Sequence, residues 1–204
     1  MADLARLRHP RGMDDDGWAC CYVLVENRSA LDLAALLGGR LTGPDRTETE
    51  AVKASASWPA AGIASNGWAV LVDPHFELGD ADADLQQWSI GGQVGRLLVI
   101  ERERFSHATL WAEGRVSWEV SYEAELDVRP LVGGQFPYDL DGLAAGIGSP
   151  DDPQTWYQVP VQAFRLVAKW QPCLDDTPDQ PSLAQLIYPR PAGVAASVAR
   201  DLAN

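Results

Sequence analysis

Runs of apolar residues broken by glycine, proline and acidic clusters divide this chain into short elements, and the period of each run says which kind. Residues 18 to 25, Trp-Ala-Cys-Cys-Tyr-Val-Leu-Val, form a continuous aromatic and β-branched run between Gly17 and Asn27, the pattern of a buried strand. Ser29 is placed to cap a helix from Ala30 to Leu37, with Asp32 three residues on and Gly38 as its stop. Trp68 to Asp73 repeats the strand pattern, and Asp80 to Ser89 reads as a second short helix halted by Gly91-Gly92. The triplet Gly-Trp-Ala opens both strands, at 17 and at 67. Ordinary turn chemistry explains it better than duplication. Between these units, residues 43 to 64 mix Thr, Glu, Ser, Pro and Ala without a period. That stretch reads as a loop with room for one short strand.

Val94 to Glu103 carries Leu97-Leu98-Val99-Ile100 at its centre, and such a run predicts a central strand buried on both faces. His107 to Ala112 and Arg115 to Tyr122 flank Glu113-Gly114, a two-residue hairpin turn that pairs Ala112 with Arg115. Counting outward in steps of two puts Trp111, Thr109 and His107 on one face with Val116, Trp118, Val120 and Tyr122. This face is assigned to the core, and Arg115, Ser117, Glu119 and Ser121 to the other. A one-residue slip would reverse the assignment. Leu126 to Leu131 is expected as a last strand before Gly133-Gly134. Two helices follow, Asp139 to Ile147 and Pro160 to Trp170, the second with Pro160 in its first turn and Pro172 past its end.

The pattern predicts an α+β fold, an antiparallel sheet of five or six strands with three or four helices packed mainly on one face. The domain is expected to span residues 14–172, after an N-terminal arm at 1–13. Beyond Cys173 the chain is polar and rich in Asp and Pro, then offers only short apolar patches. Residues 173–204 therefore read as a linker and tail, with 194–202 helical only when docked.

Composition narrows the function classes. The 204 residues are 46% apolar and 22% charged, which suits a folded chain with a real core. Every uninterrupted apolar run falls well short of the ~18 residues of a spanning helix. Sixteen basic against twenty-nine acidic side chains leave a net charge of −13, which opposes binding to nucleic acid or an anionic membrane surface. Three cysteines, Cys20, Cys21 and Cys173, make neither a disulfide framework nor a CxxC pair, which points to a reducing cytoplasm. Residues 1–12 carry Arg6, Arg8 and Arg11 with no apolar run behind them, so they fail as a signal peptide. They read as an arm or as an over-extended start with Met13 as initiator.

Candidate chemistry is sparse. Asp80, Asp82 and Asp84 open like a calcium loop, but Leu85 stands where the loop needs glycine and Gly91 where it needs glutamate. Helix N-terminal acids need only the macrodipole to explain them. His9, His75 and His107 are the only histidines, and no HExxH or Cys/His pair has ligand spacing. No metal and no cofactor is expected. The glycine-rich stretches spell neither nucleotide-binding pattern and read as helix stops. Cys20 and Cys21 lie inside a strand, as small inert hydrophobes. His107 is the best acid/base candidate, since imidazole titrates near neutrality.

Eight tryptophans are dense for this length. Trp58, beside Pro59, and Trp156 with Tyr157 lie outside the periodic elements, so they are the expected interface residues, joined by the acids Glu119, Asp80, Asp82 and Asp84. The leading expectation is a non-catalytic, cytoplasmic protein-binding module of bacterial type with an acidic surface for a basic partner, in the manner of an immunity protein or antitoxin. The alternative is a small-molecule-binding protein or enzyme, its pocket over the sheet and built from His107 with Glu119, Asp127 or Asp73. A structural homo-oligomer is the third reading.

Overall fold

The computed structural model describes residues 19–46, 59–64, 66–74, 76, 81–126, 128–169 and 183–187. Its centre is the strand predicted from the apolar run, β1 (Ala19–Val25), every residue of which after Ala19 is buried. Both faces of β1 need cover, and the chain supplies neighbours and helices for both. After β1 come α1 (Ala30–Leu36), β2 (Arg40–Arg46), β3 (Ala60–Ile63), β4 (Ala69–Asp73), α2 (Asp82–Trp88) and β5 (Gln93–Ile100). They are followed by β6 (Phe105–Ala112), β7 (Arg115–Glu123), β8 (Leu131–Gly134), α3 (Leu140–Ile147), α4 (Pro153–Ala168) and β9 (Leu183–Ile187).

The fold is α+β, with one antiparallel sheet in the order β2-β9-β3-β4-β1-β5-β6-β7-β8. Among the described residues, nine strands replace the five or six expected. Two of the additional strands, β2 and β3, reach into the stretch read as a loop, and β9 comes from the expected tail. β3 is Ala-Ala-Gly-Ile, too small and short to alternate, and it becomes a strand because β4 and β9 supply its hydrogen bonds. β9 inserts between β2 and β3. Its Leu183 and Leu186 are buried on opposite sides of the sheet. Residues 183–187 are thus part of the sheet.

Helices cover both faces, which corrects the one-sided packing expected. The α3 and α4 side buries Tyr22, Leu24, Leu97, Val99, Trp118, Val120, Tyr122 and Phe164. The α1 and α2 side buries Val23, Leu33, Leu71, Leu85, Leu98, Phe105 and Trp111. The reason was already present in the continuous apolar runs: a strand without alternation has no solvent face.

Local capping fixes the helix starts. Ser29 and Asp32 form a reciprocal capping box at α1. Asp152 accepts from the Gln154 amide at 2.9 Å and Pro153 occupies the first turn of α4, so this helix begins seven residues before the expected Pro160. Pro160 lies buried inside it. The expected strand at 126–131 is instead β8, and the glycine pair read as its stop lies within it.

The hairpin turn is as expected. Glu113 and Gly114 both have positive φ, +50° and +71°, the type I′ geometry that matches strand twist. The register beyond it is not. Trp111 pairs with Val116, whereas Leu110 pairs with Trp118, so Ser117 is an extra residue in a β-bulge. Its carbonyl accepts from the Gln135 amide at 2.8 Å. The bulge places Trp118 in the α3/α4 core, edge-on to Phe136 and Tyr138 at 5.4 and 6.2 Å. Trp111 is buried on the opposite side. The expectation that both tryptophans share a face with His107 is therefore corrected.

Candidate functional site

The same bulge assembles the polar cluster of the sheet. Without it Glu119 and Ser121 would oppose His107; with it they share the α1/α2 face with His107 and Thr109. Thr109 pairs directly across from Glu119, and His107 from Ser121, which makes His107 and Glu119 diagonal neighbours. His107 Nε2 lies 3.1 Å from Thr109 Oγ1 and 3.5 Å from Glu119 Oε2. The His107 side chain is 17% exposed and the Glu119 side chain 49%. The hydrogen bond from His107 holds the Glu119 carboxyl below the usual carboxylate range, against the partial desolvation that raises it.

One strand further in, Arg96 of β5 pairs with Thr109. Its guanidinium is buried, lies 5.0 Å from the centre of the Trp111 ring, and reaches Asp82 at the start of α2 at 2.5 Å. A charge this deep is tolerated because the ring face and the carboxylate stand in for water. Beyond it, Cys21 of β1 pairs with Asp73 of β4. Burial pushes the Cys21 thiol well up, the charge of Asp73 adds to this, and Arg96 opposes it. Such a thiol is a packing group, not a nucleophile.

The β6–β7 turn is tied to α2. Ser89 O accepts from Glu113 N at 3.1 Å, Ser89 Oγ from Gly114 N at 3.0 Å, and Gly114 O from Gln86 Nε2 at 2.5 Å. Glu119 is held from the outer side as well. A Cβ on Gly133 would fall 2.7 Å from Glu119 Oε1 and 2.9 Å from its Cγ. The absence of a side chain at 133 is therefore what lets Glu119 lie across β8.

The sequence candidates are placed as follows. His107 and Glu119 meet. Asp82 is exposed and paired with Arg96, and Asp84 is exposed in the first turn of α2. Asp73 is buried. Trp156 and Tyr157, expected at an interface, are buried core residues of α4. Trp156 Nε1 donates to Pro150 O at 2.8 Å, and Arg129 lies over its ring. Tyr157 O accepts from Ser106 Oγ at 2.7 Å, and burial pushes its phenol up. Their helical period is hidden by the early start of α4. Trp58, Asp80 and Asp127 lie outside the described residues.

Sequence reasoning missed Arg96, although a charge inside an otherwise apolar strand was a usable signal. It also missed the open end of the sheet. Among the described residues β8 is, with β2 at the opposite end, one of two terminal strands, and near it Leu126, Val128, Leu131 and Val132 are 73%, 88%, 61% and 51% exposed. Among the described residues no helix is long and apolar enough to cross a membrane. No protein-family model, curated protein or solved structure matches the chain.

Proposed function

We propose that this chain is a non-catalytic, cytoplasmic protein-binding module that engages a basic partner through the β7–β8 end of its sheet. The observation that carries the reading is the concentration of exposed apolar side chains there, Leu126, Val128, Leu131 and Val132, beside the half-exposed carboxylate of Glu119. Large apolar side chains left in water within one short stretch mark interaction surfaces. The net charge of −13 suits a partner of opposite sign, and an immunity or antitoxin role, in which an acidic protein occludes a basic one, fits that pairing.

The test is affinity purification of the tagged full chain from its native host, followed by mass spectrometry, with three forms compared. A partner held by the wild type and by a Leu31→Asp control on α1, but lost from Leu131→Asp/Val132→Asp, supports the reading. Retention by the double variant overturns it. Association with the isolated partner should slow steeply as salt rises, because exposed charges are screened beyond ~10 Å at 0.1 M.

A second reading, a small-molecule-binding protein or enzyme using His107, is favoured by one observation, the contact of its ring nitrogen with Glu119. A specific ligand that shifts the His107 ring signals in the NMR spectrum would support it. The deeper polar groups do not extend that site outward, since Asp73, Arg96 and Cys21 are buried.

A further inference from the structure

An edge strand presents alternate backbone N–H and C=O groups with no neighbour to receive them, which is a template for another strand. β8 has that position, and its pairing with β7 through Leu131–Ser121, Val132–Val120, Gly133–Glu119 and Gly134–Trp118 leaves its other side outermost among the described strands. Its register is held firmly. Gly134 has φ +68°, and a Cβ there would run into the Ser117 carbonyl and within 3.0 Å of the Trp118 Cα. The bulge and the glycine fit together, and a substitution at 134 would be strained on both counts.

Charge at this edge has a specific source. Leu131 and Gly133 face the same side as Glu119, and because Gly133 has no side chain, the Glu119 chain lies over it, with Oε1 the atom closest to the missing Cβ. The other carboxylate oxygen is turned to His107. One oxygen is therefore held from inside the sheet while the second lies over the last strand. A strand added alongside would sit ~4.8 Å beyond β8, within easy reach of a lysine or arginine side chain. Glu125 is exposed in the turn after β7, and the nearby cation, Arg129, is paired with Asp141.

We infer that β8 accepts an extended segment of a protein partner as a further strand, and that Glu119, lying across Gly133, selects a segment with a lysine or arginine at the opposing position. Main-chain pairing would give affinity, and alternate side chains would give specificity: the basic residue over Gly133, an apolar residue beside Leu131 or Val132. The four residues of β8 limit the pairing to a short segment. This inference rests on the reading of the β7–β8 end as a protein-binding surface, and names the partner's chemistry and mode of attachment.

The test uses the full chain, isotopically labelled, and a capped peptide alternating lysine and valine. Saturating peptide should slow amide exchange within residues 131–134 by about fivefold or more. A peptide of the same charge with proline at consecutive positions, which has donors on neither edge, should give no such protection. Glu119→Gln should weaken binding of the basic peptide by about tenfold, with near-native thermal stability showing that the fold is kept. Glu119→Lys should transfer the preference to a peptide alternating glutamate and valine, an outcome that a merely structural role for Glu119 would not produce. Binding confined to other amides, indifference to residue 119, or no binding at several millimolar peptide would overturn the inference. If Leu131→Asp/Val132→Asp still strips the native partner after such a result, the surface stands and only strand addition falls. If the peptide pairs with β8 but the double variant keeps its native partner, strand addition stands and the functional reading falls.

Discussion

The centre of the sheet and its β7–β8 end obey different rules. In β1, β4 and β5 nearly every side chain is buried, on both faces, so each apolar residue contributes its full transfer free energy and each polar one needs a built partner. Arg96 is the example, held by the Trp111 ring and Asp82. At the other end β8 keeps Leu131 and Val132 half or more in water, contributing little to stability. The contrast teaches that stability and recognition are separated in space: substitutions at the centre should unfold the chain, and those at the end should leave it folded but alter what it binds.

The sharpest way to break the comparison is at β9, which resembles the centre although it comes from the far C-terminal part of the chain. Leu183→Ala/Leu186→Ala, removing one buried side chain on each face, should cost about 5 kcal/mol or more in urea unfolding, comparable with the whole stability of many domains. A loss below ~1 kcal/mol would mean that β9 is dispensable and that the expected boundary at 172 was right. Next, Trp118→Ala should cost about 3–5 kcal/mol through cavity formation and lost ring contacts. It lies one strand from β8, so this measurement shows how abruptly the covered region ends.

Thiol chemistry probes the centre without perturbing it. In a Cys173→Ser chain, Cys20 and Cys21 are both buried, and burial keeps the Cys21 thiol protonated at pH 8. No thiol should be titrated by a disulfide reagent under native conditions, and both should react after denaturation. Reaction of either in the native state would reveal local opening of β1.

At the boundary between the regions, Glu119 should leave a signature in acid. Its folded-state pKa is lowered, so its contribution is fully present above the unfolded carboxylate value, about 4.3, and is lost as pH falls through the lower folded value. The stability difference between wild type and Glu119→Gln should therefore shrink as the pH falls from about 5 through the carboxylate range. A difference that grows on acidification would contradict the hydrogen bond to His107. The smallest effect belongs to the open end itself: Leu131→Ser should change stability by no more than ~0.5 kcal/mol. A larger loss would show that this surface is structural.

Much of the local structure was legible in the chain. The apolar runs of β1, β4 and β5, the Ser29 cap and the Glu113-Gly114 turn all depend on neighbours within a few residues, where propensity and hydrogen bonding act directly. Electrostatics of the whole chain, a net charge of −13, needs no structure either. Three things were decided only by the assembled sheet. β3 and β9 are strands because adjacent strands offer hydrogen bonds, not because Ala-Ala-Gly-Ile or Leu-Ala-Gln-Leu-Ile shows a strand period. Trp156 and Tyr157 are core because α4, begun by the local Asp152 cap, packs against β5 and β6. The third is the bulge at Ser117: period two carries through an ordinary ladder, and one inserted residue, stabilised by Gly134 and Gln135 from the next strand, reverses every side chain beyond it. His107 and Glu119 share a face for that reason, and the amide that binds the Ser117 carbonyl belongs to Gln135, directly after β8.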